Sequence, residues 1–159
     1  MFREMRRNRQ ELTREETIAI LERNTHGVLA VSGDDGYPYA VPLSYIYSDG
    51  KIYFHCALTG HKIDAIRRCE KVSFCVVDQD KVVPEHFTTH FRSVVAFGRA
   101  RILSDEEKRA PLTRLAEKYS PGLNSDAEIA GGIARMHMIE ITIDHMTGKQ
   151  CRELIGQPV

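Results

Sequence analysis

The sequence predicts a mainly β (α+β) protein in which about six antiparallel strands, flanked by helices, close into a small barrel. Short segments of alternating apolar residues are joined by hairpin-length turns, which require antiparallel pairing. Helices are inserted between strands without the regular βαβ alternation of a parallel sheet. With 159 residues, 42% of them hydrophobic, the chain can bury its own core. We therefore predict a single domain spanning residues 1–159.

A polar arm, residues 1–12, precedes the first helix. The arm carries four arginines and two glutamates, which is typical of a solvated extension or of a segment packed on a partner subunit. Thr13 is a favourable N-cap, and Glu16 three residues later completes a capping box. This pattern predicts a helix that ends near Asn24.

From Gly27 the sequence pattern is typical of strands and turns. Strands are predicted over residues 27–32, 39–47 and 51–57, separated by turns at 33–36 and 48–50. The sequence Ser48-Asp49-Gly50 is a strong hairpin signal, because Asp-Gly suits the left-handed backbone of a two-residue turn.

From residue 60 onward, helices and longer strands follow one another. We predict a helix over 60–68, a strand over 72–78, a polar, histidine-rich loop to His90, a strand over 91–103, a helix over 104–119, a short helix to Ala134 and a strand over 136–149. Ser104 and Glu107 repeat the capping-box pattern. Met136 and Met138 are expected to fill the core or a subunit interface, which together with the long fifth strand suggests a homodimer.

Charge and composition exclude several classes of protein. The 22 basic and 22 acidic residues cancel, which argues against a dedicated nucleic-acid or membrane-surface binder. No apolar run approaches the roughly 20 residues of a membrane span, and residues 1–16 lack the apolar region of a signal peptide. The four cysteines have no metal-site spacing, so we expect reduced thiols and a cytoplasmic protein.

The second predicted strand has one face of small residues. Ala40, Pro42 and Ser44 share that face, and larger residues occupy the other. Such a face allows a flat ligand to lie against the backbone, or it packs tightly under a helix. The pattern taken alone favours the packing interpretation.

The predicted helix after Gly60 begins with two basic residues. The helix dipole disfavours cations at this end, whereas free backbone N–H groups and a flexible glycine suit an anion. A phosphate bound near His61 and Lys62 would resolve the conflict, and two side chains turned into solvent would also resolve it. The charge argument favours neither phosphate binding nor solvation of the two side chains.

Other histidines give weaker signals. His55 either donates a hydrogen bond to a ligand oxygen or plays a structural part, and it is our only candidate catalytic residue. His86 and His90 have a spacing that places two imidazoles on one helical face, but no third ligand accompanies them. We therefore predict no metal site.

Short motifs follow one another in a fixed order along most of the chain. Val41-Pro42 is followed by the turn Asp49-Gly50, the strand 52–55 and the helix start Gly60-His61-Lys62. Arg6-Arg7, residues 91–95, residues 98–100 and Thr147-Gly148-Lys149 extend the set. The set resembles the pyridoxamine 5′-phosphate oxidase-like flavin-binding family and, within it, the nitroimidazole-resistance (nitroreductase) branch.

The resemblance implies a split β-barrel and a homodimer that binds flavin mononucleotide (FMN), in preference to FAD, at the dimer interface. The resemblance also implies which residues bind the flavin. The phosphate would be held by Gly60, His61 and Lys62, and the isoalloxazine would lie along Val41, Pro42, Leu43 and Ser44. The ribityl chain and ring would be lined by His55, Cys56 and Ala57, and the partner subunit would contribute its own copies of Phe91, Arg92 and Ser93.

Two functional classes remain, and the seven histidines keep a haem ligand among the alternatives. The first is an FMN-binding oxidoreductase that uses an electron donor to convert a small redox-active molecule, such as a nitroimidazole or another nitroaromatic. The chain has no evident Ser-His-Asp or paired-carboxylate site, which fits chemistry supplied by a cofactor. The second class is a non-catalytic flavin or haem binder, acting as a sensor or carrier. Vitamin B6 oxidation is not expected, because the further basic residues for a substrate phosphate are missing.

Overall fold

The mainly β (α+β) class is confirmed by a computed structural model that describes residues 1–159. The helices are α1 (Arg14–Arg23), α2 (His61–Arg68), α3 (Asp105–Tyr119) and α4 (Asp126–Gly132). The strands are β1 (His26–Ser32), β2 (Pro38–Ser44), β3 (Ile46–Ser48), β4 (Lys51–Cys56), β5 (Lys71–Val83), β6 (Thr88–Ile102) and β7 (His137–Gln150). None of the helices has the length and apolar character that crossing a membrane requires.

One antiparallel sheet contains all seven strands, in the order β2-β1-β5-β6-β7-β4-β3. The sheet is not closed by hydrogen bonds, because β2 and β3 form its two edges. The predicted six-stranded barrel is therefore corrected to a seven-stranded open sheet whose edge strands follow one another in the chain.

The extra strand arises at Tyr45, where the predicted strand 39–47 divides. Tyr45 is fully buried, its hydroxyl donates to the Leu21 carbonyl at 2.8 Å, and its ring meets Phe74 edge-on at 5.0 Å. Anchoring this side chain in the core bends the backbone. Consequently β2 pairs with β1, whereas β3 pairs with β4.

The prediction of a loop before His90 is wrong, because this segment forms a β-hairpin. β5 continues to Val83, and Lys81, Val82 and Val83 pair with His90, Thr89 and Thr88. Phe87, at φ 49°, closes the turn in the left-handed region. We call residues 79–91 the β5–β6 ribbon. Its polar side chains interrupt the apolar alternation by which strands are predicted. The ribbon is stabilised by the hydrogen bonds between β5 and β6.

The core lies between the inner face of the sheet and helices α1 and α2. Its fully buried side chains include those of Ile20, Leu21, Leu29, Ile52, Phe54, Ile63, Phe74, Ile139 and Ile141. A smaller cluster under α3 and α4 contains Leu103, Leu112, Ile129 and Met138. Met138 therefore belongs to the core of its own chain, and a homodimer has to rest on other surfaces.

The arm packs on its own chain. The Phe2 ring lies 4.7 Å from the His145 ring and 5.5 Å from that of Phe97, and Leu12 is buried. The capping boxes at Thr13 and Ser104 are both confirmed. All four cysteines are free thiols.

Candidate functional site

The edge strand β2 presents unpaired backbone groups to one side. The Gly33 amide donates to the Tyr37 carbonyl and the Tyr45 amide donates to the Thr25 carbonyl, so odd-numbered residues of this strand face β1. Because hydrogen-bonded and non-bonded positions alternate along an antiparallel pair, the even-numbered residues 38–44 direct their N–H and C=O groups away from β1. We call this row the open edge of β2.

Two prolines set the chemistry of the open edge. Pro38 and Pro42 have no N–H group, so the only amide donors along it are those of Ala40 and Ser44. All four residues retain a carbonyl acceptor. The prolines also hinder the addition of another β-strand, which would need a donor at every second position. The open edge thus suits a ligand with a mixed donor and acceptor pattern.

The small face of β2 is exposed to solvent. Ala40, Pro42 and Ser44 lie on the outside, whereas Val41 and Leu43 are half-buried against the core. The packing interpretation, in which a helix covers the small face, is therefore wrong for the isolated chain. The face is available to a ligand or to another subunit.

The N-terminus of α2 also has free donors. Gly60 has φ 129° and ψ 167°, a conformation open almost only to glycine, and it supplies no side-chain cap. Its carbonyl accepts from the amides of Ile63 and Asp64, while the amides of His61 and Lys62 have no acceptor within the chain. These two N–H groups lie at the positive end of the helix dipole and can bind an anion.

His61 connects α2 to β2. Its ring stacks on Tyr39 at 4.1 Å between centroids, and its Nε2 lies 3.5 Å from Asp34 Oδ2 in the turn between β1 and β2. Arg68 bonds the other oxygen of Asp34 at 2.7 Å. The alternative in which both basic side chains turn into solvent does not describe His61, because its ring stacks on Tyr39 although its side chain is 37% exposed.

Lys62, next along α2, lies near the end of β4. The side chain is half-buried, and its charge lies close enough to Cys56 to influence the thiol. Burial raises the pKa of Cys56, and the charge of Lys62 lowers it by less, so the net shift is upward. Cys56 is thus a neutral thiol at pH 7, and it lies beside a cation that remains available to a ligand.

These observations place the start of α2 near two other predicted groups. Its first turn contacts β2 where His61 stacks on Tyr39, and the charge of Lys62 acts on Cys56 at the end of β4. At a rise of roughly 3.4 Å per residue, Ser44 lies about 17 Å along the strand from Tyr39. His55 is exposed at the end of β4, and Ala57 follows that strand. We call these three groups, residues 41–44, 55–57 and 60–62, the cradle.

The fourth group, residues 91–93, lies elsewhere in the same chain. β1 and β5 separate β6 from β2, which at about 4.8 Å per strand is roughly 14 Å across the sheet. Arg92 is 6% exposed, and its Nη2 donates to the Gln157 carbonyl at 3.0 Å. Within one chain these residues therefore do not complete the cradle.

Sequence reasoning missed Asp34, Tyr39 and Arg68 as neighbours of the cradle. Asp34 belongs to a turn, and Tyr39 belongs to the bulky face of its strand. Their contacts with α2 join residues more than twenty positions apart. No local pattern indicates such contacts, so the cluster could be found only in the folded chain.

Comparison with known proteins identifies a matching family and several similar structures. A family model described as pyridoxamine 5′-phosphate oxidase matches residues 13–150. A search of curated proteins finds no match. The chain is 28% identical to a FAD-binding protein from Mesorhizobium loti, with a TM-score of 0.63 over 89% of this chain and 96% of the other.

Two further solved structures share the fold. A candidate 5-nitroimidazole antibiotic resistance protein from Bacteroides thetaiotaomicron is 22% identical, with a TM-score of 0.76 over 88% of this chain and 86% of that one. A FAD and heme binding protein from Mycobacterium smegmatis is 20% identical, with a TM-score of 0.77 over 94% of this chain and 76% of that one. At these identities the likeness concerns the fold.

Proposed function

The chain belongs to the pyridoxamine 5′-phosphate oxidase family, and from that premise we propose that it is an FMN-binding oxidoreductase acting on a small redox-active molecule. One observation carries the proposal: His61, at the free N–H groups of α2, stacks on Tyr39 near the start of β2 and so joins these groups to the strand that carries the open edge. A phosphate and a flat ring with a polar edge, separated by a chain, match that arrangement.

At the phosphate end, three kinds of donor converge. The amides of His61 and Lys62 have no acceptor in the chain, and the two side chains add an imidazole and an ammonium group. A dianionic phosphate would satisfy the amides and balance the cation, and charge-assisted hydrogen bonds are the stronger kind. Gly60 keeps the approach open, since nothing lies within 4 Å of the position that a Cβ would occupy there.

At the ring end, the open edge offers carbonyl acceptors and the amide donors of Ala40 and Ser44. An isoalloxazine carries carbonyl oxygens and one N–H on its pyrimidine side, so it needs both kinds of partner. A bound flavin supplies the hydride chemistry, and the protein supplies binding, orientation and a shielded surface. His55, exposed at the end of β4, or water would deliver the proton.

The charges around α2 favour one phosphate over two. Asp34 and Asp64 flank the first turn of the helix, and Asp34 is already within reach of His61 and Arg68. A second phosphate would meet these carboxylates. We therefore propose FMN, although proteins described as FAD-binding share the fold.

Titration with flavins tests the cofactor. We expect the protein to bind FMN, quench or shift its fluorescence and melt at a higher temperature, with weaker binding of riboflavin and FAD. Haemin added in parallel distinguishes the haem-binding alternative, because its visible spectrum differs from that of a flavin. If FMN leaves both the fluorescence and the melting temperature unchanged, the cofactor proposal is wrong.

We also propose that the protein is a homodimer. Val28, Val77 and Phe97 are 37%, 52% and 40% exposed on the outer faces of β1, β5 and β6, beside the small face of β2. A second copy covering this surface would bury it and would adjoin the flavin site. Light scattering of the flavin-bound protein should give twice the chain mass of 18.1 kDa. A monomer at micromolar concentration would contradict the proposal.

For the reaction, we propose reduction of a small electron-poor substrate, such as a nitroaromatic or a quinone. The exposed small face of β2 leaves room for a flat substrate beside the ring. The test is anaerobic: the bound flavin is reduced chemically, the acceptor is added, and the return of the oxidised flavin band is followed. Reoxidation should be faster than for free reduced FMN. If no acceptor in the panel reoxidises the bound flavin faster than it reoxidises free reduced FMN, a sensor or carrier is favoured instead.

A further inference from the structure

A groove lies on the outer face of the sheet, between the arm and the turn that joins β1 to β2. It encloses about 670 Å³, which is within the range of pockets that hold small organic molecules. β1 pairs with β5 only from Val28 to Ala30. The groove opens beyond the last of these pairs, where residues 31–33 and 71–72 form part of its lining. The two strands therefore leave a recess at this end of the sheet.

The sheet register shows that the groove lies on one face. Ala30 pairs with Ser73, and Ser73 pairs in turn with Phe97 on β6. Residues directly opposite one another direct their side chains to the same face, and neighbours along a strand alternate. Because Leu29 and Phe74 are buried in the core, the three paired residues form a row that points away from it. All three residues of this row line the groove.

Aromatic rings stand on two sides of the groove. On one side, the rings of Phe2 and Phe97 stack at 5.5 Å between centroids, and the two residues are 46% and 40% exposed. On the other side, beyond β5 and β1, Tyr37 is 75% exposed and precedes Pro38 at the start of β2. The lining between them consists largely of small residues, among them Ala30, Ser32, Ser73 and Gly98. A flat aromatic ring suits such a space, because it packs favourably against other rings.

The charged side chains of the groove leave one cation unpaired. Its lining contains one acidic side chain, Asp144, and one basic side chain, Lys71. Asp144 already accepts from Arg99 through both oxygens, with a shortest distance of 3.0 Å. Lys71 is exposed at the start of β5, and no carboxylate oxygen lies within 4.0 Å of its ammonium group. The charge available to a ligand in the groove is therefore positive.

We propose that this groove binds a small, flat aromatic molecule that carries one anionic group. The ring lies between Phe97 and Tyr37, and the anionic group faces Lys71. Phe97 also borders the surface proposed to meet a second copy, but from there the groove extends toward the turn before β2, away from Val77. The site is on the face of the sheet opposite to α2, and it does not depend on the proposed function.

Calorimetry with three probes tests the class of ligand. 2-Naphthoate is flat and anionic, naphthalene-2-carboxamide has the same rings without the charge, and cyclohexanecarboxylate has the charge without a flat ring. We expect saturable binding of 2-naphthoate, unchanged by FMN, and weaker binding of the other two probes. Absence of saturable 2-naphthoate binding, as expected if solvent or a second copy fills the groove, overturns the proposal. Equal affinity for 2-naphthoate and either of the other probes, or displacement of 2-naphthoate by FMN, also overturns it.

Two pairs of variants test where the probe binds. Lys71→Gln should weaken 2-naphthoate binding roughly two- to fivefold and leave the carboxamide unchanged, because an exposed ion pair contributes modestly. Lys81→Gln, at an exposed cation near the other end of β5, is its control and should have no effect.

Phe2→Ala should weaken both naphthalene probes roughly two- to tenfold, because it removes one aromatic wall. Phe87→Ala, at the exposed turn of the β5–β6 ribbon, is its control and should leave both affinities unchanged. Melting temperatures show whether each variant is folded, and both phenylalanines are largely outside the core. Unchanged binding in Phe2→Ala, or an equal loss of 2-naphthoate affinity in Lys71→Gln and Lys81→Gln, would place the probe elsewhere and overturn the proposal.

Discussion

Glu140→Ala should lower the free energy of unfolding by about 2–4 kcal/mol, because it removes the shared acceptor of a buried polar cluster. Glu140 Oε2 accepts from Lys51 Nζ at 3.0 Å and from the Tyr53 hydroxyl at 3.0 Å, and Oε1 accepts from Arg101 Nε at 2.8 Å. The Glu140 side chain is only 6% exposed. Lys51 and Arg101 are partly exposed and can rehydrate, which keeps the loss near the lower part of the usual range.

The same cluster predicts a pH dependence. Burial raises the pKa of Glu140, but hydrogen bonds from Arg101, Lys51 and Tyr53 outweigh it, and the net pKa lies below the ordinary value. Because the pKa of Glu140 is lower in the folded than in the unfolded protein, its ionised carboxylate stabilises the fold. This contribution is complete above the pKa of the unfolded state, about 4.3 for glutamate. That contribution is lost as the pH falls through the folded value. Tyr53, with its pKa raised to about 12 mainly by burial, remains a donor throughout.

Urea unfolding measures both effects. The difference in unfolding free energy between the wild type and Glu140→Ala should be largest at pH 6–7 and should shrink below about pH 4.3. Glu117→Ala, at an exposed glutamate on α3, is the control and should change stability little at either pH. A difference between wild type and Glu140→Ala that does not vary with pH would mean that the carboxylate's packing, and not its charge, is what matters.

Lys62→Ala should weaken FMN binding roughly ten- to a hundredfold and leave riboflavin binding nearly unchanged. Lys62 lies half-buried in the first turn of α2, beside two amides that have no acceptor in the chain. Its ammonium group would form a charge-assisted bond with the phosphate, and riboflavin has no phosphate. The measurement is a fluorescence titration of both ligands at constant ionic strength.

Arg67→Ala provides the matched control for Lys62. Arg67 is a cation of the same helix near its other end, exposed and 3.9 Å from Asp64, so its loss should affect both ligands equally and weakly. If Lys62→Ala weakens riboflavin as much as FMN, Lys62 acts through the fold and the phosphate binds elsewhere. The same loss of FMN affinity in Arg67→Ala would indicate a general effect of net charge.

The sequence by itself determined the features that depend on neighbouring residues. Thr13 with Glu16 and Ser104 with Glu107 set the starts of α1 and α3, because each pair needs only one helical turn to form its hydrogen bonds. Asp49-Gly50 likewise determines its hairpin, since both residues adopt positive φ angles of 52° and 78°. The helix start after Gly60, where we propose that the phosphate binds, was predictable for the same reason.

The tertiary structure decided what depends on distant partners. Tyr45 divides a strand because Leu21 and Phe74 bind its side chain, and the ribbon forms because β5 and β6 hydrogen-bond to each other despite their polar residues. The Glu140 cluster also forms only when β4, β6 and β7 lie side by side. These choices depend on contacts between residues far apart in the chain, whose energies exist only after the backbone has been brought together.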